Sequence, residues 1–334
     1  MNKIKYLQNI NRRTRCAAYA MSGSALLLAM AGAVAQNYPS RPIRLVVPQS
    51  AGGSTDLVAR PLAQRVAEAL KGSVVVDNRP GAGSTIGTDI AAKAPPDGYT
   101  LLAVAASFTM SPSLYKKLPF DPVNDFAPIS LLSSLPNILV VHPAQPVKSV
   151  KDLVAYAKAQ PGKLNFSSSG VATGTHMSME LFKHMTGISM THIPYKGGAP
   201  SVTALLSGEV QLCFATISTA LPHVKSGRLR AIAVTSARRW HTVPDLPTVA
   251  EAALPGFESV LWYGILGPAR MPAALVSRIN ADAVVAIQRA DVRERLDVAG
   301  MEPMMMKPGE FAAYVKSEIA KWSRVVTESG AKPE

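Results

Sequence analysis

The chain has 334 residues, is 48% hydrophobic but only 6% aromatic, and carries a formal net charge of +13. That length supports a sizeable core and two lobes, so disulfides or metals are not needed to hold it. The basic residues are scattered and form no stripe interleaved with aromatics, which excludes a nucleic-acid groove.

Lys3, Lys5, Arg12, Arg13 and Arg15 precede an apolar stretch centred on Ala25 to Ala31, and Ala33-Val34-Ala35 has the A-x-A form. Residues 1–35 therefore read as a secretory signal peptide cleaved after Ala35. General secretion is the expected route, with Arg12-Arg13 leaving the twin-arginine route open. The apolar stretch is too short and too rich in Ala and Gly for a membrane span. Removing 35 of the 334 residues leaves 299, and removing the five leader cations leaves a charge of +8. One cysteine, Cys213, remains, so no internal disulfide forms, and it reads as a buried small hydrophobe. The expected product is a soluble monomer outside the cytoplasm, with no cofactor.

In chain order, apolar runs of strand length alternate with helical segments, the signature of an α/β fold with mainly parallel sheets flanked by helices. Predicted strands are Ile43–Val47, Val74–Asp77, Thr100–Val104, Ile138–His142, Leu164–Ser167, Met190–Ile193, Gln211–Ala215, Leu229–Thr235 and Val260–Leu266. Predicted helices are Thr55–Leu70, Thr85–Lys93, Val150–Ala159, Thr175–Thr186, Ala199–Ser207, Ala273–Gln288 and Gly309–Glu328. Pro61 conflicts with a regular helix and predicts a bend or a later start. Phe126 to His142 and Phe257 to Pro268 read as extended crossings. They divide the mature chain into one lobe of residues 36–136 plus 257–334 and another of residues 137–256.

Two loops stand out. After the first strand, Gln49, Ser50, Ala51, Gly52, Gly53, Ser54, Thr55 and Asp56 form a glycine-containing turn into a helix. Unpartnered N–H groups at a helix start suit a carboxylate, and glycines let it approach. No Lys completes a phosphate loop, which argues against a nucleotide. An ordinary capped helix is the alternative. The second loop repeats the arrangement in the other lobe with Ser168, Ser169, Gly170, Thr173, Gly174, Thr175 and His176. Two facing helix starts would hold both ends of a small dianion through hydroxyls and backbone N–H groups. Tyr195 is a further candidate for the cleft wall.

No reactive set argues for an enzyme. GxSxG and HExxH are both absent. His176, Glu180 and His184 share i, i+4, i+8 spacing, a weak metal signal that leaves a metal-assisted hydrolase as the remote alternative.

The segments together resemble the substrate-binding proteins of tripartite tricarboxylate transporters, the Bug family. The resemblance covers essentially the whole mature chain. It is carried by Tyr38-Pro39-Ser40-Arg41-Pro42-Ile43, Ala51-Gly52-Gly53-Ser54-Thr55-Asp56, Asn78-Arg79-Pro80-Gly81-Ala82-Gly83 and Pro95-Pro96-Asp97-Gly98-Tyr99. Further along, Tyr195-Lys196-Gly197, Gly227-Arg228-Leu229-Arg230, Pro244-Asp245-Leu246-Pro247 and Trp262-Tyr263-Gly264 continue it. It implies a periplasmic binding protein of the two-lobe, type II kind, closing on a di- or tricarboxylate or an aromatic acid. That ligand would pass to a tripartite membrane permease or be reported to a signalling receptor. It places the ligand against residues 49–56, the loop 168–176, and a third region that includes Ser107 and Phe108.

Three departures bear on selectivity. Ala106-Ser107-Phe108 stands where members often have Gly-Thr-His, which predicts a less polar wall. Ala215-Thr216 replaces an Asp or Asn, which leaves little to hold an amino group; Thr216 joins the expected site. Gln49-Ser50 replaces an apolar pair and adds hydrogen-bonding capacity.

Overall fold

The computed structural model describes residues 38–52 and 54–329. The leader, the cleavage position after Ala35, Gly53 and the side chain of Ser54 lie outside the described residues.

The first strand, β1 (Ile43–Val47), is almost wholly buried because its alternate faces both meet helices. It pairs in parallel with β2 (Val74–Asn78) and β3 (Thr100–Ala105). The connecting helices are α1 (Ser54–Ala69) and α2 (Thr85–Ala92). Helix α1 opens at Ser54 and runs through Pro61, so the later start anticipated from that proline is not observed. The carbonyl deprived of its donor belongs to Leu57, an exposed residue.

A third helix, α3 (Ser107–Leu114), follows β3 and was not anticipated, since its Ser, Thr and Pro content argues against helix. Thr109 and Ser111 satisfy their hydroxyls on carbonyls three residues back, Ala106 O and Phe108 O, each at 2.8 Å. Phe108 anchors the helix edge-to-face on Phe126 at 5.3 Å.

The chain then crosses in one 16-residue strand, β4 (Phe126–Val141). Its register slips near Pro128 and again between Leu131 and Ser133, bulges that accommodate a proline a regular ladder would reject. Beyond it come α4 (Val150–Ala159), β5 (Asn165–Ser168), α5 (Gly174–Thr186), β6 (Thr191–Pro194), α6 (Gly198–Leu206), β7 (Leu212–Thr216), α7 (Ile217–Lys225), β8 (Arg230–Val234) and the short α8 (Val249–Ala252). The chain returns through β9 (Val260–Pro268), then α9 (Ala273–Ile287), α10 (Ala290–Val298), β10 (Glu302–Pro303) and α11 (Pro308–Ser329).

The strands form one continuous sheet, in the order β2-β1-β3-β9-β4-β7-β5-β6, with β8 and β10 also on β4. β5 pairs in parallel with β6 and β7. Every antiparallel pairing among the described strands involves β4 or β9. The parallel character expected from βαβ alternation thus belongs to the short strands, and the crossings supply the antiparallel seam. The early part of β4 pairs with β9, and residues 137–141 pair with β7.

One apolar cluster packs β1 and β3 against α1 and α9 through Leu45, Val47, Leu62 and Ile279. A second surrounds Ile138, Val140, Leu205 and Trp240. The largest joins Leu102, Phe166, Phe182, Phe214, Trp262 and Trp322, running beneath both ends of the sheet. Helix α11 lies along it and packs on α3, β4 and α5. Trp322 is fully buried, a burial of the kind that contributes about 2–3 kcal/mol, and its Nε1 donates to Glu318 Oε2 at 2.9 Å. Among the described residues no helix is long and apolar enough to cross a membrane.

Candidate functional site

A cleft of about 680 Å³ opens where β4 and β9 cross. Five helices, α1, α3, α5, α6 and α7, bring residues at or beside their N-termini to its wall. Four of them, α3, α5, α6 and α7, have no side-chain cap on the first turn. Lack of a cap is not peculiar to these, since α9 and α10 share it; the convergence is. Each helix start presents free N–H groups and roughly half a positive charge. None of the described lining residues carries a charged side chain. The cleft therefore attracts an anion without any buried cation.

From the β1–α1 loop, Gln49 and Gly52 line the cleft. Gln49 accepts the Thr55 hydroxyl at 2.6 Å through Oε1, which leaves its NH2 group for a ligand. Thr55 itself is buried beneath the loop. Asp56 is buried too, and does not face the cleft. Its Oδ2 accepts from Gly52 N–H at 2.9 Å and Arg60 Nε at 2.7 Å, and its Oδ1 from Asn78 Nδ2 at 3.0 Å. Burial alone would raise this carboxyl; the hydrogen bonds from Arg60, Gly52 and Asn78 outweigh it and hold it below the usual range. Asp56 fastens the loop, and Ser50 and Ala51 are exposed outside the cleft lining.

Ser107 lines the cleft with Ala105 and Ala106. Phe108 does not: it is 6% exposed and sits with Phe120 and Phe126 in the core. The less polar wall comes instead from Leu57, Leu135, Phe214, Leu261 and Met301.

The β5–α5 loop divides into residues that face the cleft and residues that hold it from behind. Ser169, Thr173, Gly174 and Thr175 line the cleft. Their three hydroxyls form a closed triangle: Ser169–Thr175 at 2.9 Å, Ser169–Thr173 at 3.1 Å and Thr173–Thr175 at 3.1 Å. Thr173 spends its proton on Gly170 O at 2.7 Å, and Thr175 accepts Ser169 N–H at 3.0 Å. Ser169 gives its proton to Thr173, so the Thr175 proton closes the triangle and is the one that can be redirected from Ser169 to a ligand. A Cβ at Gly174 would meet Leu261 Cδ2, the end of a side chain that would have to turn aside.

Ser168, Gly170 and His176 hold the loop from behind. Ser168 Oγ lies 2.6 Å from His192 Nε2 and accepts Gly170 N–H at 3.2 Å. His176 stacks on His192 at 3.9 Å and accepts Ala172 N–H at Nδ1. Burial, then the neighbouring His176, pushes His192 down to about 4. His184 turns away to Glu328 at 2.8 Å, so the i, i+4, i+8 set does not converge. Among the described residues no three His, Cys, Asp or Glu side chains are grouped as a metal site.

Tyr195 is displaced from the cleft; its hydroxyl donates to Glu209 at 2.6 Å. The neighbouring Gly197 and Gly198 line the cleft in its place. Thr216 also lines it, 2.8 Å from Thr219 Oγ1. Sequence reasoning missed Ser201, Ser218, Thr219, Leu261 and Met301. The Gly-Gly pair before α6 repeats the glycine signal of the first loop. The start of α7 was hidden by Pro222.

Residues 58–331 match the model of the tripartite tricarboxylate transporter family receptor. The chain belongs to this family. It is 37% identical to Protein BugT of Bordetella pertussis over 300 residues, covering 89% of this chain and 92% of that one. Among solved structures, an R. palustris protein with adipate shares 36% identity at a TM-score of 0.75, covering 89% of this receptor and all of that chain. MatC from Rhodopseudomonas palustris with bound malate shares 31% at 0.72, covering 86% and 100%. The receptor is an extracytoplasmic solute-binding protein with the type II binding-protein architecture, and the family works in the periplasm with a tripartite permease.

Proposed function

We propose that the receptor captures a small carboxylate, a di- or tricarboxylate or an aromatic acid, in this cleft and delivers it to the permease. The observation that carries this reading is the convergence of five helix N-termini on a cleft without a charged lining side chain. The relatives with adipate and malate support a dicarboxylate. One carboxylate meets Gln49, Gly52 and Ser107; the other meets the N–H groups at the start of α5, the Thr175 hydroxyl and Thr216, with Ser169 and Thr173 orienting Thr175. The apolar wall takes the ligand's middle. Residues 36–136 with 257–334, and 137–256, act as the two lobes and close about β4 and β9. Contacts from both lobes provide the differential affinity that closure requires. The working form is a monomer with its leader removed after Ala35.

A thermal-shift screen of purified protein against mono-, di- and tricarboxylates, aromatic acids and amino acids tests this. A ligand that binds only the folded state raises the melting temperature by mass action. A clear rise with one class of acid is expected. No rise with any acid, and no acid released on denaturation by mass spectrometry, would reject the reading.

A further inference from the structure

Ser178 lies one turn into α5, and its hydroxyl is a three-way junction. It donates to Gly174 O at 2.7 Å, accepts from Asn137 Nδ2 at 2.9 Å, and lies 2.7 Å from Ser259 Oγ. A hydroxyl has one proton and two lone pairs. With its proton on Gly174, Ser178 accepts from Ser259, and its full capacity is used. Ser178, Asn137 and Ser259 are all buried.

The bond to Gly174 is by itself an ordinary helix back-bond. The other two partners are not local. Asn137 is the residue of β4 at which pairing passes to β7, and Ser259 immediately precedes β9. Thr235 ties the same two backbones together. Its N–H donates to Asn137 O and its carbonyl accepts Ser259 N–H, each at 2.9 Å. Both crossings and the first turn of α5 therefore meet at one oxygen atom. Leu261 of β9 adds an apolar contact, resting where Gly174 has no side chain.

We infer that Ser178 is a positioning residue that couples the α5 end of the cleft to both crossings, so that seating a ligand there and closing the lobes are one motion. The inference rests on the carboxylate reading of the cleft. A ligand held by the α5 N-terminus and Thr175 pulls on the turn whose carbonyl Ser178 grips. Buried hydrogen-bond networks stiffen the segments they join, and this one ties all three even though Asn137 Oδ1 has no partner among the described residues.

Hydrogen exchange and calorimetry on Ser178→Ala, Ser259→Ala and the double variant test it, with adipate, malate and citrate as probes. Ser259→Ala changes only the crossing. It is expected to speed exchange of the Met177 amide, which donates to Thr173 O at 2.9 Å, and to weaken the best probe. Both effects should be about tenfold or less, the worth of one buried hydrogen bond. The melting temperature should move by only a few degrees. The double variant should bind no worse than Ser178→Ala, the mark of one shared network. Ser178→Thr, which keeps the hydroxyl, should restore coupling. Unchanged exchange in α5 for Ser259→Ala, or additive losses in the double variant, would overturn the inference. The exchange arm needs no ligand. If no probe binds the wild type while Ser259→Ala still loosens α5, the junction stands and the carboxylate reading falls.

Discussion

Asp56 Oδ2 accepts the backbone N–H of Gly52 at 2.9 Å, so the acidic residue of the first loop shapes the cleft without entering it. The same carboxylate holds Arg60 and Asn78. Asp56→Ala leaves three donors without their acceptor. It should cost about 1–3 kcal/mol in denaturant unfolding and weaken ligand binding through a loosened Gln49–Gly52 turn. Unchanged stability would show that the loop is held by something else.

Thr175→Val removes the one hydroxyl proton of the triangle that can be redirected to a ligand while keeping the side-chain shape. Carboxylate affinity should fall by about five- to tenfold by calorimetry, and the melting temperature should change little. Equal affinity would place the carboxylate elsewhere in the cleft.

Gly174→Ala forces a methyl against Leu261 Cδ2. Leu261 can turn aside at the cleft wall, so the cost should be no more than about 1 kcal/mol, and binding should weaken as the turned side chain fills the cleft. Leu261→Ala opens the space, so the double variant should regain part of the lost stability. A double variant worse than both singles would contradict the contact.

His192 stays neutral in the folded protein, lowered to about 4 by burial and by His176. The unfolded chain takes up this proton near the ordinary value of 6.5. Stability is therefore intact above that value, declines as pH falls from about 6.5 to about 4, and does not change further from this group below it. The full loss is up to about 3 kcal/mol at 1.36 kcal/mol per unit. His192→Gln should flatten that part of the stability–pH curve. Asp56 and Glu180, both lowered, contribute their losses at more acid pH.

Cys213 is fully buried, and burial pushes its thiol up to about 12. The native receptor should resist iodoacetamide at neutral pH and react once unfolded. Rapid labelling of native protein would show that the strand β7 opens readily.

The helix α4 was legible to the residue, because Ser149 caps it, accepting Asp152 N–H at 3.1 Å, and its apolar spacing is helical. The strands other than β4 and β10 were legible within one or two residues; the predicted strand Ile138–His142 is only the end of β4, although Phe126 to His142 reads as extended chain, and β10 was missed. Helix α3 was not, since Ser107, Thr109, Ser111 and Pro112 favour other conformations and tertiary packing through Phe108, Met110 and Leu114 holds them helical. Helix α10, rich in charge, was missed for want of an apolar stripe beyond Val292 and Leu296.

By itself the sequence determined the strand–turn–helix units and which loops end them, because periodicity, glycine and hydroxyl-rich turns act over a few residues. Tertiary structure alone decided which residues of those loops face a ligand. Ser168 and Ser169 are neighbours of one chemistry, yet one is turned to His192 and the other to the cleft. Asn137, Ser178 and Ser259 meet only once both crossings are in place. Contacts between residues 41 and 81 positions apart are fixed by register and packing of the whole sheet, which no local pattern encodes.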